Sequence, residues 1–418
     1  MTKAKSYTIS KQVVWEAYKR VKANRGAAGV DGESLMAFEK DLKSNLYKLW
    51  NRMSSGSYLP PPVRLVEIPK DNTGKTRPLG IPTVSDRIAQ TVVKMYLEPQ
   101  VEPYFHKDSY GYRPGKSALD AVGITRQRCW RQDWVIDLDI RGFFDNLDHS
   151  LVMKAVRHHT QLPWILLYVE RWLKAPIQRE DGSQQQRTKG SPQGSVISPL
   201  LANLFMHYAF DEWMRRNHPY IQFARYADDA VIHAKSLSQA EHVLEAVRER
   251  LRQCGLELHP EKTRIIYCKD DDRHGTHEHI KFDFLGYTFR PRRAKNRWGK
   301  PFVSFLPAIS NKAASSIRAR IRSWQLGASR NNQSLEDIAG FVNPYVRGWV
   351  NYYGRFYRSA IYPVLRYLES CLVYWVRRKY KRLRHHQRQA VYWLGQIARR
   401  EPQLFVSWQT GIRPAAGQ

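Results

Sequence analysis

Between Phe223 and Ile232 the chain reads Phe-Ala-Arg-Tyr-Ala-Asp-Asp-Ala-Val-Ile: an apolar strand, a tight turn carrying Asp228 and Asp229, and a second apolar strand. Such arms fold as an antiparallel hairpin, with two adjacent carboxylates at its tip. Asp is a common turn former, so a plain hairpin accounts for this segment when it is taken alone. A second acidic pair lies in Trp134-Val-Ile-Asp-Leu-Asp-Ile140, where the period of two puts Asp137 and Asp139 on one face and Ile136, Leu138 and Ile140 on the other. Like charges at that spacing repel, and burial raises the cost; metal binding compensates, and exposure at a sheet edge is the alternative. Asp139 with Asp228 and Asp229 offers three hard oxygen donors on a strand and a facing hairpin, which suits two Mg²⁺ ions in an in-line phosphoryl transfer. Asp139 and Asp228 are distant in sequence, so spacing alone leaves open whether they meet.

Charge narrows the class of partner. The 418 residues include 68 Lys and Arg against 38 Asp and Glu, a net charge of +30. From Arg290 onward there are 25 cations and 4 carboxylates, interleaved with Trp324, Tyr345, Trp349, Tyr352, Tyr353, Phe356, Tyr357, Tyr374, Trp375 and Trp393 at helical spacing. This reads either as a solvated helical face or as cations on phosphates with most aromatics in a core. So large an excess of positive charge points to a polyanion, nucleic acid first and a membrane surface second. Hydrophobic residues make up 42% of the chain, enough to exclude wholesale disorder. The longest mostly apolar stretch, Val196 to Phe210, is broken by Ser198, Pro199, Asn203 and His207, so a buried helix is expected there and no membrane span. The first residues lack a secretory leader's apolar run. Cys129, Cys254, Cys268 and Cys371 form no Cys-x-x-Cys pair, so neither a disulfide framework nor a cysteine zinc site is expected. A cytoplasmic location fits.

The periodicities predict a small helical N-terminal module, with helices over Lys11 to Val21 and Leu35 to Met53 around the Gly26, Gly29 and Gly32 loop. A hairpin with a flexible tip follows between Leu59 and Pro82. Ser198 at N-cap and Pro199 in the first turn predict a helix from Leu200 to Met214 that packs under the acidic hairpin. Domain borders are expected near residues 60 and 300. His274, His277 and His279 beside Cys268 read as part of a polar loop rather than as a metal cluster.

Several motifs follow one another in a fixed order: Arg77-Pro-Leu-Gly-Ile-Pro-Thr83, Tyr110-Gly-Tyr-Arg-Pro-Gly115, Asp139-Ile-Arg-Gly-Phe-Phe-Asp145 with His149, and Gly190-Ser-Pro-Gln-Gly194 leading to Ser198-Pro-Leu-Leu-Ala-Asn203. They continue with Tyr226-Ala-Asp-Asp229, Leu258-His-Pro-Glu-Lys262, Phe284-Leu-Gly-Tyr287 and Gly348-Trp-Val-Asn-Tyr-Tyr353. In this series the chain, from about residue 10 to about residue 410, resembles the group II intron-encoded reverse transcriptases, or maturases. The resemblance implies an α+β right-hand polymerase of fingers and palm, with a helical N-terminal extension and an all-helical basic thumb or maturase domain. The corresponding segments are 1–60 for the extension, 61–300 for fingers and palm, 301–395 for the thumb and 396–418 for a short tail. The endonuclease domain that many relatives carry is not expected, nor second-strand cleavage; mobility would borrow a primer such as a nascent DNA strand.

The resemblance also assigns roles. Asp139, Asp228 and Asp229 match the catalytic metal ligands, with the Ile140 carbonyl completing a shell for two Mg²⁺ ions, or Mn²⁺ in their place; Asp137 is a same-face neighbour. Phe144 matches the ring that excludes a ribose 2′-hydroxyl, and otherwise reads as a core aromatic like Phe143. Lys70 and Arg77 match fingers cations that suit a dNTP triphosphate, although Lys70 also reads as an ordinary surface lysine. Gln193 lies in a flexible loop that either approaches the nucleotide or is simply a turn. For primer and template, Lys262 either matches a lysine near the primer or nucleotide or belongs to a surface helix, Gly286 matches a close backbone approach, and Arg113 a loop that tracks the template or merely turns. The implied function is RNA-directed DNA synthesis together with binding of the parent intron RNA to assist splicing and mobility, so the expected partners are intron RNA, a primed RNA template, dNTPs and target DNA. A splicing-only RNA-binding protein and a free-standing enzyme recruited to defence or repair are the competing readings.

Overall fold

Serine hydroxyls open the first two helices: α1 (Lys11–Ala23) begins where Ser10 accepts from the Gln12 amide, and α2 (Leu35–Glu39) where Ser34 accepts from that of Ala37. α3 (Leu42–Ser55) stops at Gly56, whose φ of 76° is left-handed. The computed structural model describes residues 6–70 and 75–415, the side chains of Lys70 and Lys75 excepted. It divides into two units, Met1–Ala121 with Trp134–Ile265, and Val122–Asp133 with Ile266–Gln418.

In the first unit β1 (Val63–Lys70) and β2 (Lys75–Ile81) form the expected antiparallel hairpin, in register from Arg64 opposite Ile81 to Lys70 opposite Lys75; its tip, 71–74, lies outside the described residues. α4 (Val84–Val101) follows, capped by Thr83 and buried on nearly every side. Its Asp86 accepts from Tyr58 Oη, Trp172 Nε1 and Gln90 Nε2 at 2.7–2.9 Å, yet burial still pushes its carboxyl up to about 6. After α5 (Ala118–Cys129), most of which belongs to the second unit, come β3 (Trp134–Leu138), α6 (His149–His159), α7 (Pro163–Lys174) and the short strands β4 (Ile177–Gln178) and β5 (Gln184–Gln185).

The next helix departs from expectation at its start. α8 (Ser198–Met206) has Ile197 at the N-cap, and Ser198 sits one residue inside because its hydroxyl is engaged with Ser191 Oγ at 2.6 Å. The free amides of Val196 and Ile197 are met instead by Gln90 Oε1, at 2.9 and 3.3 Å. The helix continues through a π-turn (His207–Asp211) into α9 (Glu212–Asn217), which carries it past Met214. β6 (Gln222–Tyr226), β7 (Asp229–Ala234), α10 (Leu237–Gln253) and β8 (Arg264–Tyr267) complete a four-stranded sheet in the order β6-β7-β3-β8. Val135, Ile136, Val231 and Ile232 are fully buried in it.

The second unit opens with β9 (Phe282–Phe284), β10 (Tyr287–Lys295) and β11 (Pro301–Ile309), a three-stranded sheet in the order β11-β10-β9. Helices follow: α11 (Asn311–Ser323), α12 (Leu326–Ser329), α13 (Leu335–Tyr353), α14 (Tyr362–Lys379), α15 (Gln387–Arg400) and α16 (Val406–Gln409). Their apolar faces close one core around Trp375, Leu372, Val342, Phe405 and Trp408. Glu369 is the buried carboxylate of this core, accepting from Ser407 Oγ at 2.6 Å and Trp408 Nε1 at 3.0 Å. Among the described residues no helix is long and apolar enough to cross a membrane.

Candidate active site

β3 runs antiparallel to β7, with Leu138 opposite Ala230, so the next residue, Asp139, falls level with Asp229. The β6–β7 hairpin closes on the two-residue turn Ala227-Asp228, between Tyr226 and its partner Asp229. The three carboxylates therefore meet at one end of the sheet. Asp228 is half-buried and the Asp229 side chain reaches solvent, but the surrounding protein desolvates both. Desolvation, with repulsion from Asp139, raises Asp228; desolvation, then Asp228 and Asp139, pushes Asp229 up to about 7. Arg77 and Lys262 pull Asp229 the other way.

The turn that holds this pair is strained. Ala227 has a φ of 57°, a conformation usually left to glycine, and its carbonyl accepts from Arg225 Nη1 at 2.8 Å. Arg225, fully buried, also binds both oxygens of the equally buried Asp211 at 2.8 and 2.6 Å, Asn203 Oδ1 at 3.1 Å and Ser109 Oγ at 2.8 Å. Asn203 Nδ2 in turn donates to the Gly111 carbonyl at 2.6 Å, and a Cβ on Gly111 would lie 2.4 Å from the Ala227 nitrogen. The Tyr110–Gly115 loop is thus packed directly against the acidic turn.

On the far side of β3, the Arg141 amide donates to the Glu257 carbonyl at 2.8 Å and the His259 amide to that of Asp139 at 2.7 Å, flanking a bridge between Ile140 and Leu258. In that pattern the backbone N–H and C=O of Ile140 point away from Leu258, toward the side occupied by β7. Lys262 Nζ stands 3.1 and 3.4 Å from the Asp139 oxygens. Among the described residues no three carboxylate, imidazole or thiol groups are yet gathered into a coordination shell; an ammonium sits against Asp139 instead. Three mutually repelling carboxylates, one already neutralised by a cation, with a backbone carbonyl aimed to their side, are a donor set that fits a hard divalent ion.

A third layer comes from the Gly190–Gly194 loop. The Ser191 amide donates to the Phe144 carbonyl and the Gly190 amide to that of Leu147, both at 2.7 Å, while His149 Nε2 donates to the Gly190 carbonyl at 2.8 Å. The Gln193 carbonyl accepts from the Gly80 amide at 2.6 Å, which ties the loop to β2, the strand that carries Arg77. Cβ atoms on Gly80 and Gly194 would meet Pro192 at 2.8 Å and the Gly80 carbonyl at 2.6 Å, so this contact requires both glycines. Phe143 is buried, whereas Phe144, in edge contact with it at 5.3 Å, remains partly open.

Residues 68–289 match the family model described as reverse transcriptase (RNA-dependent DNA polymerase). The chain belongs to the reverse transcriptase family. Residues 314–393 match a second model, the group II intron maturase-specific domain. The chain is 33% identical over 358 residues to Protein YkfC of Escherichia coli, covering 75% of this chain and 89% of that one. It is 31% identical over 208 residues to the group II intron-encoded protein LtrA of Lactococcus lactis, covering 49% of this chain and 34% of LtrA. Its match to the yeast putative COX1/OXI3 intron 1 protein is 30% over 198 residues, 47% of this chain and 23% of that protein. The reverse transcriptase is thus an RNA-directed DNA polymerase of the α+β right-hand class with an intron-maturase domain, in a family that generally depends on divalent metal.

The expected residues of the reverse transcriptase fall into three groups. Asp139, Ile140, Asp228, Asp229, Arg77, Phe144, Gln193 and Lys262 all lie in the first unit, linked as described. The side chain of Lys70 lies outside the described residues. Gly286 belongs to the second unit, in the β9–β10 turn with a φ of 80°, where a Cβ would meet Tyr353 Oη at 3.0 Å. Arg113, also in the first unit, has a buried side chain. Its fork is committed internally, to Glu102 at 2.7 and 3.0 Å and to the carbonyls of His106 and Ser109 at 2.7 and 2.6 Å. Sequence reasoning missed Arg225, Asp211 and Gly111, although a cation in the middle of an apolar strand was a signal for the first.

Proposed function

We propose that this reverse transcriptase copies RNA into cDNA at the Asp139, Asp228 and Asp229 cluster, and that its maturase domain binds the parent intron RNA to assist splicing and mobility. The observation that carries the reading is the meeting of three carboxylates within electrostatic reach of Arg77, on a strand tied to the Gly190–Gly194 loop, a combination that RNA binding alone does not require. The carboxylates and the Ile140 carbonyl would hold two Mg²⁺ ions, or Mn²⁺; when bound, these supply Lewis acidity for in-line displacement of pyrophosphate by a primer 3′-hydroxyl.

The protein's own groups then have definite tasks. Arg77, with Lys70, neutralises the triphosphate of an incoming dNTP. Phe144 blocks the space a 2′-hydroxyl would need, and Gln193 borders the nucleotide from its loop. Lys262, which stands against Asp139 in this structure, would meet the primer or the nucleotide. Gly286 supports the primer strand, and Arg113 braces the loop behind the acidic turn. In this reading the segments 1–60, 61–300, 301–395 and 396–418 serve as extension, fingers and palm, thumb, and tail. A primed RNA template, dNTPs and target DNA are the partners, and the cytoplasm is the setting.

The test is primer extension on a long RNA template with dNTPs and Mg²⁺, beside Asp228→Asn and a metal-free control. Full-length cDNA from the parent protein alone, with RNA affinity equal in the two proteins, is the expected result. No product from the parent protein, with tight RNA binding retained, would replace this reading by that of a dedicated splicing factor.

A further inference from the structure

β10 and β11 form a nine-pair ribbon, in register from Tyr287 opposite Ile309 to Lys295 opposite Pro301. β9 pairs with β10 only as far as Phe289, and burial declines along the ribbon. Tyr287, Phe289 and Phe305 at the base are fully buried, whereas Phe302 is 39% and Trp298, at the tip, 75% exposed. The tip is nonetheless an ordered turn. Asn296 Oδ1 accepts from the Trp298 and Lys300 amides at 3.0 Å, the Asn296 amide donates to the Lys300 carbonyl at 3.0 Å, and Gly299 has a φ of 81°. The turn therefore holds an indole in solvent, where a large apolar ring gains nothing from folding. The Arg297 guanidinium lies 4.0 Å over that ring.

Charge on the ribbon is of one sign. Arg290, Arg292, Arg293, Lys295, Arg297 and Lys300 lie on it, and no carboxylate occurs between Asp283 and Glu336. Arg292 is directed inward to the Thr288 and Leu306 carbonyls, both at 3.2 Å. The exposed cations Arg293, Lys295, Arg297 and Lys300 have no ion-pair partner among the described residues.

We infer that the ribbon tip is a contact for single-stranded RNA: Trp298, backed by Arg297, stacks on one unpaired base while Arg293, Lys295 and Lys300 hold the neighbouring phosphates. The inference rests on the reading of the chain as an RNA-copying enzyme, which supplies the strand. The ribbon supplies a π-face that accepts any base and cations on both sides of it, the combination that binds single strands without sequence preference. An anionic membrane is the weaker match, because Trp298 and Phe302 are the only large apolar groups exposed toward the tip.

The test compares the full-length protein with Trp298→Ala, Trp298→Phe and a Lys295→Gln/Lys300→Gln double variant. RNA affinity is measured by fluorescence anisotropy on a labelled single strand and on a blunt duplex of the same length. Trp298→Ala should weaken the single strand roughly ten-fold and the duplex by less than about two-fold, with Trp298→Phe recovering most of the loss. The double variant should weaken both RNAs and flatten the dependence on salt. Unchanged affinity of Trp298→Ala, or an equal loss on strand and duplex, would overturn the stacking role. Trp298-dependent binding to phosphatidylserine vesicles without an RNA effect would reassign the tip to a membrane. Failure of the parent protein to bind either RNA would strike the underlying reading, a result distinct from loss in the variant alone.

Discussion

Asp229 illustrates how a carboxylate proposed to hold a metal is costly to the protein that carries it. Partial desolvation and two neighbouring carboxylates push it up to about 7, so the ionised form that a cation needs is disfavoured until the cation arrives. Asp229→Asn should therefore abolish cDNA synthesis while raising the melting temperature of the metal-free protein by about 2–4 °C, as read by differential scanning fluorimetry without divalent ions. A fall in melting temperature would show that the cluster is held by contacts rather than opposed by charge. Phe144, for which a sugar-selecting role is proposed, is partly open beside a buried Phe143. Phe144→Ala should reduce discrimination between dNTP and rNTP by on the order of ten- to a hundred-fold, measured as the ratio of single-nucleotide incorporation efficiencies. Unaltered sugar selectivity would return Phe144 to the core.

At the scale of elements, the β6–β7 hairpin depends on one buried cation. Arg225 satisfies the strained Ala227 carbonyl and is itself neutralised by Asp211. Arg225→Met leaves that carboxylate buried without its partner and should cost about 3–5 kcal/mol, read as a lower denaturant midpoint; a loss below about 1 kcal/mol would mean that the pair is dispensable. The hairpin itself was legible in the sequence, because a period of two in an apolar run leaves few alternatives, and so was its acidic tip. What stands behind the tip was not. Asp211, Asn203 and Ser109 reach Arg225 from separate positions along the chain, and the π-turn that carries Asp211 leaves no periodic trace. Ser198 misled for a related reason: its hydroxyl is used by Ser191 across a loop, a contact no local capping pattern reports. For Arg113 the sequence leaves a template contact and a plain turn open, because its acceptors, two of them backbone carbonyls, are set by the path of the chain.

For the whole molecule the long series of ordered motifs made the class readable, while the buried carboxyl that locks the C-terminal helices was silent. Burial pushes Glu369 up to about 7, from about 4.5 in an exposed chain. Because the folded value is the higher one, the stability it contributes is complete below about pH 4.5 and is lost as the pH rises toward 7. Glu369→Gln should thus resist denaturant better than the parent protein at pH 8, by about 1–3 kcal/mol, and equally at pH 4.5; a difference independent of pH would assign the effect to packing. The division of the chain has a further consequence. Residues 122–133 belong to the second unit, where the Asp133 carbonyl accepts from the Cys268 amide and the Gln132 carbonyl from Arg273. They are synthesised more than a hundred residues before those partners, so on the ribosome this short piece must wait while the first unit is made around it. No single cut separates the two units, and a fragment that begins at residue 266 would lack a piece of its own unit.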